Sequence, residues 1–137
     1  MDGRLATIAA RQHGTFTRAQ AASVGATEGQ IRHRLHSRQW VRVGPGVYRL
    51  AGVPVNWRQR ALAACLVSGA GAVVSHRSAG ALWEVSGFRP GPLELTVPAR
   101  AGSRNALARV HRSDVPTRDR TKLDRIPSYD QGGCSSR

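Results

Sequence analysis

Two threonines, Thr17 and Thr27, stand on either side of Gly25 in the stretch GTFTRAQAASVGATEGQIRHRL, and this arrangement limits local folding more than any other feature of the chain. A threonine hydroxyl accepts from a backbone N–H in the first turn of a helix, so each one predicts a helix start. Thr17 opens a helix over residues 18–24, and Gly25 supplies the left-handed turn that stops it. Thr27 opens the next helix over residues 28–37, with Glu28 in its first turn facing the positive end of the helix dipole. An earlier short helix is read from Leu5, Ile8, Ala9 and Gln12, which recur at three- and four-residue spacing before Gly14.

The stretch after these helices, WVRVGPGVYRL, reads as a β-hairpin. With a tip at Gly44-Pro45-Gly46-Val47, Val43 pairs with Tyr48, Arg42 with Arg49 and Val41 with Leu50. That register puts Val41, Val43, Tyr48 and Leu50 on one face and both arginines on the other. Like charges directly opposite each other cost about 0.5 kcal/mol. A phosphate seated between them would remove the repulsion.

Three short helices followed by a hairpin make a winged helix-turn-helix. Ala21 is small enough to let the third helix cross closely, and Ile31 and Leu35 mark that helix's buried side. Gly29, Gln30, Arg32, His33 and His36 then face outward, with Arg34 on the flank. A helix of about ten residues is about 15 Å long, enough to lie in a major groove. Gln30 and Arg32 are the candidates for base edges; Thr27, His33, Arg34 and His36 are placed for phosphates or base edges, and Arg42 and Arg49 for the backbone. The alternative is that these arginines only solvate an exposed helix and an ordinary hairpin.

Composition points the same way. Lys+Arg is 21 against Asp+Glu of 8, a formal net charge of +13, and every basic residue but Lys122 is arginine. Such a surplus favours a polyanionic partner, double-stranded DNA first, although an arginine-rich coding background would also raise it. No apolar run approaches a membrane span, the N-terminus lacks a signal-peptide core, and two cysteines are too few for a zinc cluster or a disulfide framework. The expectation is a reduced, cytoplasmic protein with no cofactor, metal or membrane partner.

The second half reads as a helix over 57–67, a helix over 76–85 capped by Ser75, a strand over 93–97, and a strand over 108–112 able to pair with it. The expected fold is therefore α+β. Residues 1–52 form the winged helix-turn-helix, residues 53–126 a small α/β domain with a short antiparallel sheet, and residues 127–137 a disordered tail. Ser75 and His76 are neighbours, but adjacent helix positions diverge by about 100°, and no carboxylate nearby in sequence orients the histidine. The acids are not clustered about Lys122 as a metal nuclease requires, so no catalytic residue is expected. His13, His111, Trp40, Trp57 and Trp83 read as structural. Arg100, Arg104, Arg109, Arg112, Arg118 and Arg120 either extend a DNA footprint or form a solvated strand and loop.

The order of GTFTRAQAASVGATEGQIRHRL, VGPGVYRL, SHRSAGALW and LELTVPAR resembles the N-terminal region of AbiEi-family antitoxins of type IV toxin-antitoxin systems, in particular the actinobacterial branch. The resemblance runs from about Leu5 to Ile126. It implies a winged-helix DNA-binding domain that represses its own operon, followed by an α/β domain that counters a cognate toxin protein. Members of this branch continue past a Gly-Ile-Pro-Val-Thr-like stretch, often into a region similar to very-short-patch-repair endonucleases. Here Arg125-Ile-Pro127 is followed by SYDQGGCSSR, which implies a truncated member without that endonuclease chemistry.

The leading expectation is thus an antitoxin-like transcriptional regulator, with a homodimer on DNA left open. A protein-interaction module that binds a toxin, or a truncated remnant of a nuclease-linked protein, remains the alternative. Incubation with duplex DNA and magnesium is expected to leave the duplex intact on a gel; cleavage would overturn the assignment of no catalytic residues.

Overall fold

The computed structural model describes residues 2–101 and 105–130. Its central element is helix α4 (Trp57–Ser68). The sequence WRQRALAACLVS carries no charge after Arg60, and Ala61 to Cys65 are all buried. A helix that is apolar all round must be covered all round, and two sheets cover this one. The Asn56 side chain caps its start by accepting from Gln59 N–H at 2.8 Å.

Before α4 come α1 (Asp2–Ala10), β1 (Thr15–Thr17), α2 (Arg18–Ser23), α3 (Glu28–His36), β2 (Trp40–Gly44) and β3 (Val47–Leu50). The strands form an antiparallel sheet in the order β1-β3-β2. One face of this sheet and the three helices enclose a core of Leu5, Ala9, Phe16, Ala21, Ile31, Trp40 and Tyr48. Phe16 meets Trp40 edge-on, with ring centroids 4.8 Å apart. The three-residue strand β1 is an addition to the elements that the sequence predicts, since so short a strand carries no alternation of its own and Thr17 also serves as the cap of α2.

After α4 come β4 (Val73–Val74), α5 (His76–Leu82), β5 (Glu94–Val97), β6 (Arg109–Arg112), a 3-10 turn (Thr117–Asp119), β7 (Arg120–Leu123) and β8 (Ile126–Tyr129). The second sheet runs β6-β5-β4-β8-β7. Its core joins Leu62, Cys65, Val74, Leu82, Leu95 and Ile126. Burial pushes the Cys65 thiol up to about 12, which suits a core residue and not a nucleophile.

The α+β class stands, with four corrections in detail. The second sheet is mixed and not simply antiparallel, because β6 lies parallel to β5 and β8 parallel to β4. Ahead of β6, Asn105 donates to Ala64 C=O at 2.9 Å and to Ser68 Oγ at 2.8 Å, and β6 begins beside the start of β5, with Arg109 opposite Glu94. Pro127 to Tyr129, expected in the tail, form β8. Ser128 is fully buried there and accepts from the Trp83 indole at 3.1 Å. Asp130 follows, its N–H donating to Asp119 C=O at 2.8 Å, and residues 131–137, with Arg104, lie outside the described residues. Helix α5 ends at Leu82, short of residue 85, and the Ser75 side chain does not cap it, since its Oγ accepts from Thr96 Oγ1 at 2.8 Å.

The two sheets meet different stripes of α4. Leu62 and Cys65 join the second core, whereas Gln59 and Ala63 share a cleft with Val41, Val43 and Arg49 of the first sheet. One turn further on, Val67 lies where a β-carbon on Gly44 would come within 2.7 Å of its Cγ2. Buried Gln59 donates to His13 C=O at 2.7 Å and Pro54 C=O at 3.2 Å, pinning the end of the α1 turn to α4. Gln59→Leu is expected to lower the unfolding free energy by about 1–3 kcal/mol, because buried carbonyls lose their donor. Urea denaturation measures this, and an unchanged midpoint would show that the contact carries no stability.

Candidate nucleic-acid interface

The caps at the start of the two outer helices are formed as the sequence predicts, each with an added partner. Thr17 Oγ1 accepts from Gln20 N–H while the Gln20 side chain accepts from Thr17 N–H, and Thr27 and Gln30 repeat the pattern at 3.1 and 2.9 Å. These are reciprocal capping boxes. Gly25, at φ +99°, makes the turn between the helices. Gln30, expected to read adenine, therefore has its carbonyl oxygen engaged at the helix start and would have to release the cap to bind a base through both amide atoms.

On α3, Ile31 is buried and Leu35 half-buried, and Gly29, Arg32, His33 and His36 form an exposed stripe opposite them. Arg34 turns the other way. Its guanidinium donates to both oxygens of Asp2 at 2.9 Å and lies 5.8 Å from the centroid of the Trp40 ring. It thus ties α3 to α1 and to the first strand of the hairpin.

The hairpin register differs from the expected one. Trp40 pairs with Leu50, Val41 with Arg49 and Arg42 with Tyr48, and a bulge at Val43 brings Gly44 opposite Val47. The extra residue in β2 shifts its partners by one, and a one-residue shift moves side chains to the other face. Arg42 and Arg49 are therefore not opposite each other, and the like-charge pair does not exist. Arg42 lies on the Tyr48 face, beside α3. Arg49 lies on the face toward α4, together with Val41 and Val43 rather than opposite them.

Arg32 and Arg42 consequently line one cavity of about 360 Å³ between α3 and β2, with Leu35 and Tyr48 as its floor. Arg18 and Glu28 pair at its edge, so the only carboxylate lining it is already matched. The hairpin tip is held close by, with Gly46 C=O accepting from Arg18 N–H at 2.8 Å. Of the eight residues named from sequence, Thr27, Gln30, Arg32, His33, His36 and Arg42 lie on or beside the exposed α3 face, whereas Arg34 and Arg49 point elsewhere. Arg18 was not named; its place at the first residue of α2 gave no sign that the hairpin tip would reach it.

Elsewhere, Ser75 and His76 diverge, the one fully buried and the other exposed with its ring 4.2 Å from that of His111. His111 bonds Glu94 at 3.0 Å, and this bond holds the Glu94 carboxyl below its usual value. Among the described residues no group of three or more His, Cys, Asp or Glu could hold a metal ion, and no helix is long and apolar enough to cross a membrane.

Residues 4–51, which span the capped tri-helical unit and its hairpin, match the family model described as "Transcriptional regulator, AbiEi antitoxin". Over these residues the chain is similar to the transcriptional regulators of the AbiEi antitoxin family. No curated protein matched the chain. The AbiEi match takes in most of α1, continues through β3 and ends before α4, so the similarity covers the part that carries the α3–β2 cavity. Because α3 depends on its cap for its first turn, Thr27→Ala is expected to cost about 1 kcal/mol of stability. A thermal melt unchanged by this substitution would show that the AbiEi-type region sets α3 by packing alone.

Proposed function

We propose that the chain is a DNA-binding regulator that represses its own operon, with α3 in a major groove and the β2 edge of the hairpin on the flanking backbone. The observation that carries this reading is that Arg32 and Arg42, two exposed arginines from α3 and β2, line one cavity beside the exposed stripe of α3. Arg32 reads a guanine edge with two parallel hydrogen bonds, Arg42 neutralises a phosphate, and Thr27, His33 and His36 contact phosphates or base edges around them. Arg34 acts at one remove by fixing the tilt of α3. Arg49 takes no part.

Fluorescence anisotropy with duplexes tiled across the DNA upstream of its own gene tests this. Arg32→Ala is expected to cost about 1–3 kcal/mol on the preferred site and to relax sequence preference at one base pair. Arg42→Ala should weaken all duplexes alike and reduce the salt slope by about 1. Arg49→Ala should leave both unchanged. Equal binding by wild type, Arg32→Ala and Arg42→Ala at every salt concentration would overturn the docking. A footprint of two half-sites one helical turn apart would make the bound species a dimer.

A second reading, a protein-interaction module that meets a toxin, draws on the exposed apolar side chains of Val85 and Phe88 in the loop after α5. This loop is remote in sequence from α3, so a partner bound there need not displace DNA; competition between the two would locate the partner on the AbiEi-type region instead.

A further inference from the structure

We propose that the cleft between the outer face of the hairpin and α4 binds a small amphipathic organic anion. The cleft has a volume of about 560 Å³, within the range of about 300–1,000 Å³ usual for small-molecule sites. Val41, Val43, Val55, Leu93 and Leu107 give it apolar walls, and the small side chain of Ala63 leaves room at its floor. Three arginines, Arg42, Arg49 and Arg60, line it from three elements, β2, β3 and α4, and no carboxylate lines it. None of the three forms an ion pair among the described residues. The one other polar side chain, Gln59, spends its amide hydrogens on the His13 and Pro54 carbonyls.

This combination selects a class of ligand. Apolar walls exclude a bare inorganic anion as the best occupant, because the desolvated wall would gain nothing from it. Three cations around one cleft disfavour a neutral hydrophobe for the opposite reason, since their mutual repulsion is relieved by negative charge. A carboxylate or phosphate with an apolar body satisfies both, the acid group accepting the charge-assisted, two-pronged bonds that arginine offers. The bulge at Val43 sets the apolar wall of the site, for without it Val41 and Val43 would lie on the Tyr48 face and not beside Arg49.

Arg42 lines this cleft and the α3–β2 cavity alike. An occupant that engages Arg42 therefore withdraws it from a DNA phosphate, and the ligand acts as an inducer. This regulatory half rests on the DNA reading given above; the binding half does not.

Octanoate serves as the probe, titrated calorimetrically into the full chain without DNA. One octanoate is expected to bind per chain, with octanamide and inorganic phosphate each binding at least about tenfold more weakly, since each lacks one half of the recognition. Arg49→Ala with Arg60→Ala should weaken octanoate by about tenfold or more. Val55→Trp, at an exposed position on the wall, should block the cleft with the charges intact and the melting temperature unchanged. Equal affinity for octanoate and octanamide, or octanoate binding unaffected in both variants, would overturn the site. So would binding of a Leu- and Glu-rich peptide with none of octanoate, which would give the cleft to a protein segment. Saturating octanoate should then weaken the preferred duplex by about tenfold in wild type and not in Val55→Trp. A duplex that binds but ignores octanoate overturns the coupling alone. A chain that binds octanoate and no duplex overturns the coupling and the DNA reading together, and leaves the site standing.

Discussion

Helix α4 has no solvent side through its middle, and the rest of the molecule is arranged around that fact. Ala61 to Cys65 carry four small side chains and one leucine, so backbones on either side approach closely. The hairpin sheet seats Gly44 against Val67, and the five-stranded sheet seats its core on Leu62 and Cys65. The hairpin sheet has its inner face closed by the three helices and its outer face turned to α4, which on another side carries the core of the five-stranded sheet. Gln59 adds a directional bond where the apolar contact alone would permit sliding, because its two carbonyl partners fix the position of the turn after α1.

From that seat follows the orientation of the candidate interface. With the outer face of the hairpin turned to α4, its inner face closes on Phe16, Trp40 and Tyr48, and α3 is left as the exposed element of the unit. The bridge from Arg34 to Asp2 and the ring of Trp40 holds α3 by charge and by stacking together. A cation used in this way is withdrawn from any ligand. The chain thus divides its arginines between positioning and contact, a division that the high net charge conceals.

The reach of sequence reasoning follows the range of the interactions. Thr17, Gly25 and Thr27 act within a turn of their own positions, so the helix-turn-helix and the outward stripe of α3 were legible. Gln20 and Gln30 also act locally, and their three-residue offset from the threonines was the available signal for the reciprocal caps. The hairpin was legible as a hairpin, yet its register was not, because alternation in VRVGPGVYR permits both pairings and the bulge at Val43 chooses between them. Strand β8 was hidden for a different reason: Ile-Pro-Ser-Tyr has the composition of a loop, and only a vacant place beside β4 makes it a strand.

The sequence by itself determined the helix starts, the hairpin, the α+β class and the surplus of positive charge, since these depend on neighbours along the chain or on composition alone. Tertiary structure decided which arginines face which surface, the parallel course of β6, and the place of residues 127–129 in the second sheet. The physical reason is that a face or a strand partner is fixed by burial against residues distant in the chain, and a single bulged residue is enough to change which side chains share a face.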